Sequence, residues 1–289
     1  MKTRRNEKVR ERLPEYLKRP IIDTDKTRTV RKILKANCLN TVCENARCPN
    51  KNECYTKHTA TFLIMGGVCT RNCKYCNISC QKPEPLDVDE PKHIAKAVKD
   101  LGLKYAVITS VTRDDLPDGG AEHFAKCIEE IRKISPDTKI EILTPDFKGN
   151  IESLNTIIQA HPDVFNHNIE AVRGIFKTVR PQGNYDVSLS VLKYIKENSD
   201  IKTKSGLIIG LGENFEQIKE TFEDLYNVGC DILTVGQYIQ PSKEHYPVGK
   251  YYKPEEYEEL KKLATSVGIK HSQIGPLVRS SYNAASLME

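Results

Sequence analysis

The feature that most constrains how this chain folds is an alternation of short apolar runs with amphipathic stretches, sustained through most of its length. The runs fall at Thr61 to Val68, Tyr105 to Thr112, Lys139 to Thr144, Val164 to Ile169, Lys204 to Ile209 and Ile232 to Tyr238. Each has the length and apolar or β-branched character of a buried strand. Helical patterning occupies Pro91 to Leu101, Glu122 to Ile134, Ile151 to Gln159, Ser188 to Glu197, Glu216 to Val228 and Glu255 to Val267. Pro91 and Pro254 suit first helical turns, and Gly102, Gly229 and Gly268 suit the turns that follow helix ends. Six βα units joined by right-handed crossovers make either an open parallel barrel or a doubly wound sheet, and spacing alone does not choose between them.

In both architectures ligands gather at the carboxyl ends of the strands. Those ends carry Gly66-Gly67, Thr109-Ser110, Asn166-His167-Asn168, Gly210-Leu211-Gly212-Glu213 and Gln237. The segments before Ala60 and after Lys270 do not continue the repeat and are expected to cover the two ends of the core. GLIIGLG lacks the GxGxxG arrangement of a dinucleotide fold.

A chain of 289 residues with 38% hydrophobic content can bury a sizeable core. No apolar run is long enough to cross a bilayer, and Met1 to Lys18 is charged, without a hydrophobic segment or cleavage site. Ten cysteines are too sparse for a disulfide-stapled miniprotein, so a reducing compartment, the cytoplasm, is expected. The net charge of +5 hides a strongly basic start that includes Lys18, Arg19, Lys26, Arg28, Arg31, Lys32 and Lys35. Such an arm attracts an acidic partner or simply packs, solvated, on the body. Base-stacking motifs are absent, and His58 and His93 do not follow the cysteines with zinc-finger spacing, so no nucleic-acid partner is expected.

Six of the cysteines lie within 34 residues as two triplets. Cys69-x3-Cys73-x2-Cys76 places three soft thiolates in one short loop after the first strand, enough for three irons of a four-iron cluster. The fourth iron is then open to amino and carboxylate groups of a small ligand. Zinc is the competing occupant; the spacing, the strand-then-loop context and the lack of a nearby fourth Cys or His weigh against it. With Tyr75 just before the last cysteine, the loop resembles that of the radical S-adenosylmethionine (SAM) superfamily.

That resemblance implies an α/β fold, a partial (β/α)6 TIM-type barrel. It also implies a [4Fe-4S] cluster on Cys69, Cys73 and Cys76 that cleaves SAM to a 5′-deoxyadenosyl radical. Tyr75, Gly66, Gly67, Thr109, Ser110, Asn168, Arg180 and Glu213 become candidates for SAM contact. Each has an ordinary alternative as loop filler, turn, cap or ion pair. The same choice holds for Arg113, Asp114, Asp115 and Arg279.

Cys43-x4-Cys48-x5-Cys54 lies outside the repeat, where it can curl around a second cluster near the barrel mouth, either structural, electron-relaying or consumed. The paired triplets, with TSVTRDDLPDGGA at 109–121, KTVRP at 177–181, KSGLIIGLGE at 204–213, GQYIQPSKEHYPV at 236–248 and GPLVRSSY at 275–282, closely resemble the lipoyl synthase family. The likeness spans nearly all of the chain after about residue 30, with Asn214 and Asn283 as local departures that leave the cysteines untouched.

This second resemblance implies that Ser281 is the fourth ligand of an auxiliary [4Fe-4S] cluster on Cys43, Cys48 and Cys54. An oxygen is a harder and weaker iron ligand than a thiolate. The implied reaction inserts two sulfurs, at C6 and C8 of a protein-bound octanoyl-lysine, with the auxiliary cluster consumed as their source. The implied partners are an octanoylated lipoyl carrier domain (a glycine-cleavage H protein or an oxo-acid dehydrogenase acyltransferase subunit), a low-potential electron donor and an iron-sulfur assembly or carrier protein; the chain is expected to be a monomer. Residues 1–60 would carry the auxiliary triplet, 61–270 the barrel and 271–289 the serine. The competing functions are another radical SAM enzyme with an electron-relay cluster and a non-enzymatic iron-sulfur scaffold or regulator.

Cys38, Cys80, Cys127 and Cys230 are assigned to no cluster, the last two as buried small hydrophobes. His167 is a loop histidine or a substrate contact. His58, His93, His123, His161, His245 and His271 form no ligand constellation.

Overall fold

The computed structural model describes residues 12–19, 24–57 and 60–287. His58 and most of Met1 to Lys18 therefore lie outside the described residues. The strands are β1 (Asn40–Thr41), β2 (Thr61–Ile64), β3 (Val68–Cys69), β4 (Ser79–Cys80), β5 (Tyr105–Ser110), β6 (Lys139–Leu143), β7 (Val164–Asn166), β8 (Lys202–Ile209), β9 (Ile232–Gln237) and β10 (His271–Gly275). The helices are α1 (Asp25–Ala36), α2 (Val42–Asn45), α3 (Lys51–Thr56), α4 (Glu90–Asp100), α5 (Ala121–Ile134), α6 (Ile151–Ala160), α7 (Arg173–Val179), α8 (Tyr185–Asn198), α9 (Phe215–Asn227) and α10 (Pro254–Val267).

Residues of β2 and β9 are buried throughout, as strands covered on both faces must be. The helices supply the outer cover: α5 turns Phe124, Ile128 and Ile131 inward, and α9 turns Ile218, Phe222 and Leu225. Gly268 ends α10 at φ 104°, a left-handed turn that a side chain would strain. Asn214 caps α9 in a reciprocal box with Gln217.

The sheet runs β1-β2-β5-β6-β7-β8-β9-β10, with every neighbour parallel except β1 on β2. All six expected strands are present, and β10 adds a seventh to the parallel set. The repeat thus continues past Lys270, contrary to expectation. His-Ser-Gln at its start gives β10 no apolar run to announce it, because it is an edge strand.

Residues of β2, β5, β6, β8 and β9 line one common cavity, so the sheet curves around it as an unclosed barrel. Its two edges, β1 and β10, do not pair. Side chains from both flanking segments seal the seam: Asn50 Nδ2 donates to the Leu277 carbonyl at 2.6 Å, and Tyr282 OH to Glu53 at 2.9 Å. Partway through the barrel, Glu141 accepts from both Lys204 (3.0 Å) and Tyr105 (2.6 Å) and from Asn166 (2.9 Å), so the buried charges are paired.

Past β10 the chain turns into the barrel, because two strand positions facing the lumen carry no side chain. A Cβ at Gly236 would stand 2.0 Å from the Val278 carbonyl oxygen, and one at Gly206 2.8 Å from Ser280 Oγ. Gly236→Ala is expected to push residues 276–282 off the barrel wall. Limited proteolysis should then cut near the carboxyl end far faster than in the parent, with about 1–3 kcal/mol lost in urea unfolding.

Candidate functional site

The cavity measures about 770 Å³ and runs from one end of the strands to the other. Cys76, Tyr75, Glu170 and Tyr238 line it beyond the carboxyl ends; Cys43, Cys48, Cys54, Thr61 and Ser281 line it at the amino ends. Val107, Leu143 and Ile208 supply apolar wall between them.

The first triplet sits in a loop closed by the pairing of β3 with β4. Arg71, between the first two cysteines, anchors that loop. Its guanidinium donates to Asp114 at 2.7 and 2.9 Å and to Asp146 at 2.6 and 2.7 Å, tying it to the segments after β5 and β6. Burial opposes the charge of Asp146, but the bonds from Arg71 prevail and hold its carboxyl well below the usual range. On the other side Lys74 N–H donates to the Val179 carbonyl, Tyr246 N–H to the Lys74 carbonyl (both 2.8 Å), and His245 Nε2 to the Cys76 carbonyl at 3.0 Å.

Backbone N–H groups of Arg71 (3.4 Å) and Thr112 (3.3 Å) point at the Cys69 sulfur, and that of Ile78 (3.5 Å) at Cys76. Such donors stabilise sulfur that carries negative charge. Without that charge burial dominates: it pushes the Cys76 thiol up to about 12 and raises Cys73 against the pull of Arg180. Thiols so reluctant to ionise are inert unless a metal supplies the balancing charge.

At the second triplet, Cys43 follows β1, whose antiparallel register on β2 places it beside Thr61 at the amino end of the strand. Burial pushes the Cys43 thiol up to about 12, with Cys48 and Cys54 near enough to raise it further. Ser281 Oγ accepts from Thr61 Oγ1 at 2.8 Å. The expectation that this triplet lies near the barrel mouth is therefore corrected: it occupies the opposite end, because β1 runs against β2. Among the described residues no three His, Cys, Asp or Glu side chains converge on a single metal-ion position. A four-iron cluster asks for something else, a triangle of separated thiolates with one iron each, and both sulfur sets fit that donor chemistry.

The remaining candidates divide. Tyr75 and Asn168 line the cavity; Asn168 Oδ1 accepts from Ser280 at 2.9 Å and its Nδ2 donates to Glu170 at 3.1 Å. Ser110 Oγ, Thr144 Oγ1 and His167 Nε2, at neighbouring strand ends, and Arg180 Nε, just past α7, are buried without a partner among the described residues, which suits a polar ligand there. Gly66 adopts φ 94°, and a Cβ at Gly67 would meet Asn45 Nδ2 at 3.2 Å. Thr109 lies on the same face of β5 as Tyr105 and Val107 and donates to the Leu143 carbonyl at 2.9 Å. Glu213 is likewise given to its own loop: its oxygens accept from Gly210 N (2.6 Å), Leu211 N (2.9 Å) and Tyr252 OH (2.9 Å), leaving it outside the cavity wall. Arg113 pairs with Asp115 at 2.8 Å. Arg279 Nη1 donates to the Val278 carbonyl at 2.6 Å, with Cys48, Tyr257 and Glu170 near enough to act on its charge. Cys127 and Cys230 are buried, and Cys38 and Cys80 exposed.

Sequence reasoning passed over Arg71, Thr61, Glu170 and His245. A charged residue inside a cysteine loop and a polar first residue on an otherwise apolar strand were the available signals for the first two. Glu170, at φ 70° and with its carboxyl raised by burial against the pull of Arg180, had none.

The sequence pattern of the radical SAM superfamily matches residues 63–225. Solved structures share the fold: methylornithine synthase at TM-score 0.56 and 12% identity, covering 84% of this chain and 70% of that one; and Streptococcus suis SuiB bound to its precursor peptide at 0.57 and 14%, covering 78% and 54%. The class is thus that of radical SAM proteins, which work with SAM and a [4Fe-4S] cluster. Within it, the lipoyl synthase of Caldicellulosiruptor bescii is 53% identical over 94% of this chain and 94% of its own, and that of Rubrobacter xylanophilus 49% identical over 97% and 88%. The chain belongs to the lipoyl synthase family. Among the described residues no helix is long and apolar enough to cross a membrane.

His167 donates from Nδ1 to the Thr144 carbonyl at 2.9 Å, and burial, helped by Arg180, lowers its pKa from 6.5 to about 4. The native state therefore holds this imidazole neutral while the unfolded chain protonates it. Its stability contribution is complete above pH 6.5 and is lost as the pH falls toward 4. Urea unfolding of the cluster-free protein should show about 3 kcal/mol lost across that window, with a shallower slope for His167→Gln.

Proposed function

We propose that the protein inserts two sulfur atoms, at C6 and C8 of an octanoyl-lysine on a lipoyl carrier domain. Cys69, Cys73 and Cys76 hold the radical cluster, and Cys43, Cys48, Cys54 and Ser281 hold a second [4Fe-4S] cluster that is itself the sulfur-donating substrate. The observation that carries this reading is one cavity that reaches Cys76 of the radical triplet at one end and Cys43, Cys48 and Cys54 at the other. When bound, the radical cluster and SAM supply the 5′-deoxyadenosyl radical that removes hydrogen from an unactivated carbon.

The protein's own contribution is placement and exclusion of water. The Arg71 clamp holds the cysteine loop over the strand ends, and the unpartnered polar atoms beside it suit the polar groups of SAM. Val107, Leu143 and Ile208 suit an alkyl chain laid between the two ends, and would hold its C6 and C8 in place away from water. Ser281, an oxygen donor in a sulfur set, makes one iron of the consumed cluster the easier to release. A rebuilt cluster for the next turnover requires an iron-sulfur carrier protein, and reduction a low-potential donor.

Outward-facing Lys26, Lys32 and Lys35 of α1 give an acidic carrier a surface to meet, the buried face of that helix being Thr27, Val30 and Leu34. Raising salt from low to physiological strength is expected to weaken carrier binding, and charge reversal of the three lysines to remove most of that dependence. Titration calorimetry with an octanoyl-carrier domain measures both.

Alanine in place of Cys43, Cys48 or Cys54 should leave deoxyadenosine formation within about tenfold of the parent and abolish sulfur insertion. Anaerobic turnover with reductant, SAM and an octanoyl-lysyl carrier peptide, read by product mass, tests this. Full dithiolation by such a variant would refute the assignment, whereas parent enzyme that cleaves SAM without forming carbon-sulfur bonds would point to an electron-relay cluster.

A further inference from the structure

Thr61 is the first residue of β2, 6% exposed and on the cavity wall. Its hydroxyl donates to Ser281 Oγ at 2.8 Å, across 220 positions of sequence, and the register of β1 on β2 sets it beside Cys43. The two donors it adjoins come from the segments that flank the barrel on either side. Cys43 lies on a four-residue helix and Ser281 in a turn, so neither has a long element to fix it. A serine in a turn is otherwise free to sample three staggered rotamers, only some of which aim the oxygen at the thiols.

We infer that Thr61 is the positioning residue of the auxiliary site, holding the Ser281 oxygen against the three-cysteine set from a strand that cannot itself move. The inference rests on the reading that Ser281 is a ligand. A hydroxyl oxygen has two acceptor sites, so the bond from Thr61 fills one and leaves the other for iron. The strand supplies the rigidity: β2 is buried along its length and paired on both sides, with β1 and β5. Thr61 is thus the fixed point against which the two termini are brought into register.

The test uses holoenzyme reconstituted with Mössbauer-active iron, in four forms: parent, Thr61→Val, Thr61→Ser and Ser281→Ala. Valine keeps the branched shape and the main chain while removing the hydroxyl; serine keeps the hydroxyl. The readout is the distinct quadrupole doublet of an oxygen-ligated iron, with the radical cluster as internal reference. In Thr61→Val the doublet should fall by about half or more, as the serine spreads over its rotamers, and Thr61→Ser should restore it. A parental doublet in Thr61→Val overturns the inference, as does failure of Thr61→Ser to restore it. If Thr61→Val takes up only the radical cluster, recovery of both clusters in Thr61→Ser supports the role and continued loss refutes it. An unchanged doublet in Ser281→Ala instead overturns the serine ligand itself, separating the two failures.

Discussion

Everything at the amino end of this site depends on room inside the barrel for a length of backbone. Barrel interiors of this size are ordinarily filled by strand side chains. Here Gly206 and Gly236 remove two of them where the segment from Val278 to Ser281 enters, and the clearances are too small for even a methyl group. The segment replaces the missing side chains with main chain and brings Arg279, Ser280 and Ser281 with it. Three residues at the end of the chain thereby become wall residues of a cavity that the strands began.

The two ends of that cavity are held by different physics. At the carboxyl end one guanidinium bonds two carboxylates with four short contacts, a buried charge network that sets the cysteine loop in place. At the amino end the contacts join residues that are distant in sequence: Asn50 to the Leu277 carbonyl and Thr61 to Ser281 are neutral hydrogen bonds, and Tyr282 donates to the Glu53 carboxylate. Neutral bonds contribute less each than charged ones, so this end is the more weakly tied.

Much of this was legible in the sequence, for reasons that particular residues make clear. The central strands announce themselves because they are buried on both faces and so read as unbroken apolar runs. The β10 strand does not, since an edge strand beginning His-Ser-Gln has no such run. The helix α7, at seven residues, is too short to show a period. The cysteine spacing exposed the sulfur sets without help from tertiary structure. The position of the second set was hidden, because it follows from β1 running antiparallel to β2, a fact of pairing and not of composition. Glu213 misled for a related reason: a conspicuous acid at a strand end is as well used by the N–H groups of its own turn as by a ligand.

The seam has a consequence for how the molecule is made. The contacts that anchor the cysteine loop join residues between Arg71 and Tyr246. Those that close the seam join Asn50 to Leu277, Glu53 to Tyr282 and Thr61 to Ser281, separations of 227, 229 and 220 residues. Such contacts carry the largest loop-closure cost and cannot form until residues 277–282 have left the ribosome. The nascent barrel therefore has one end finished while the other is still a pair of loose flanks. Assembly of the molecule has a direction in time, and the end that completes last is the one where Cys43, Cys48, Cys54 and Ser281 line the cavity.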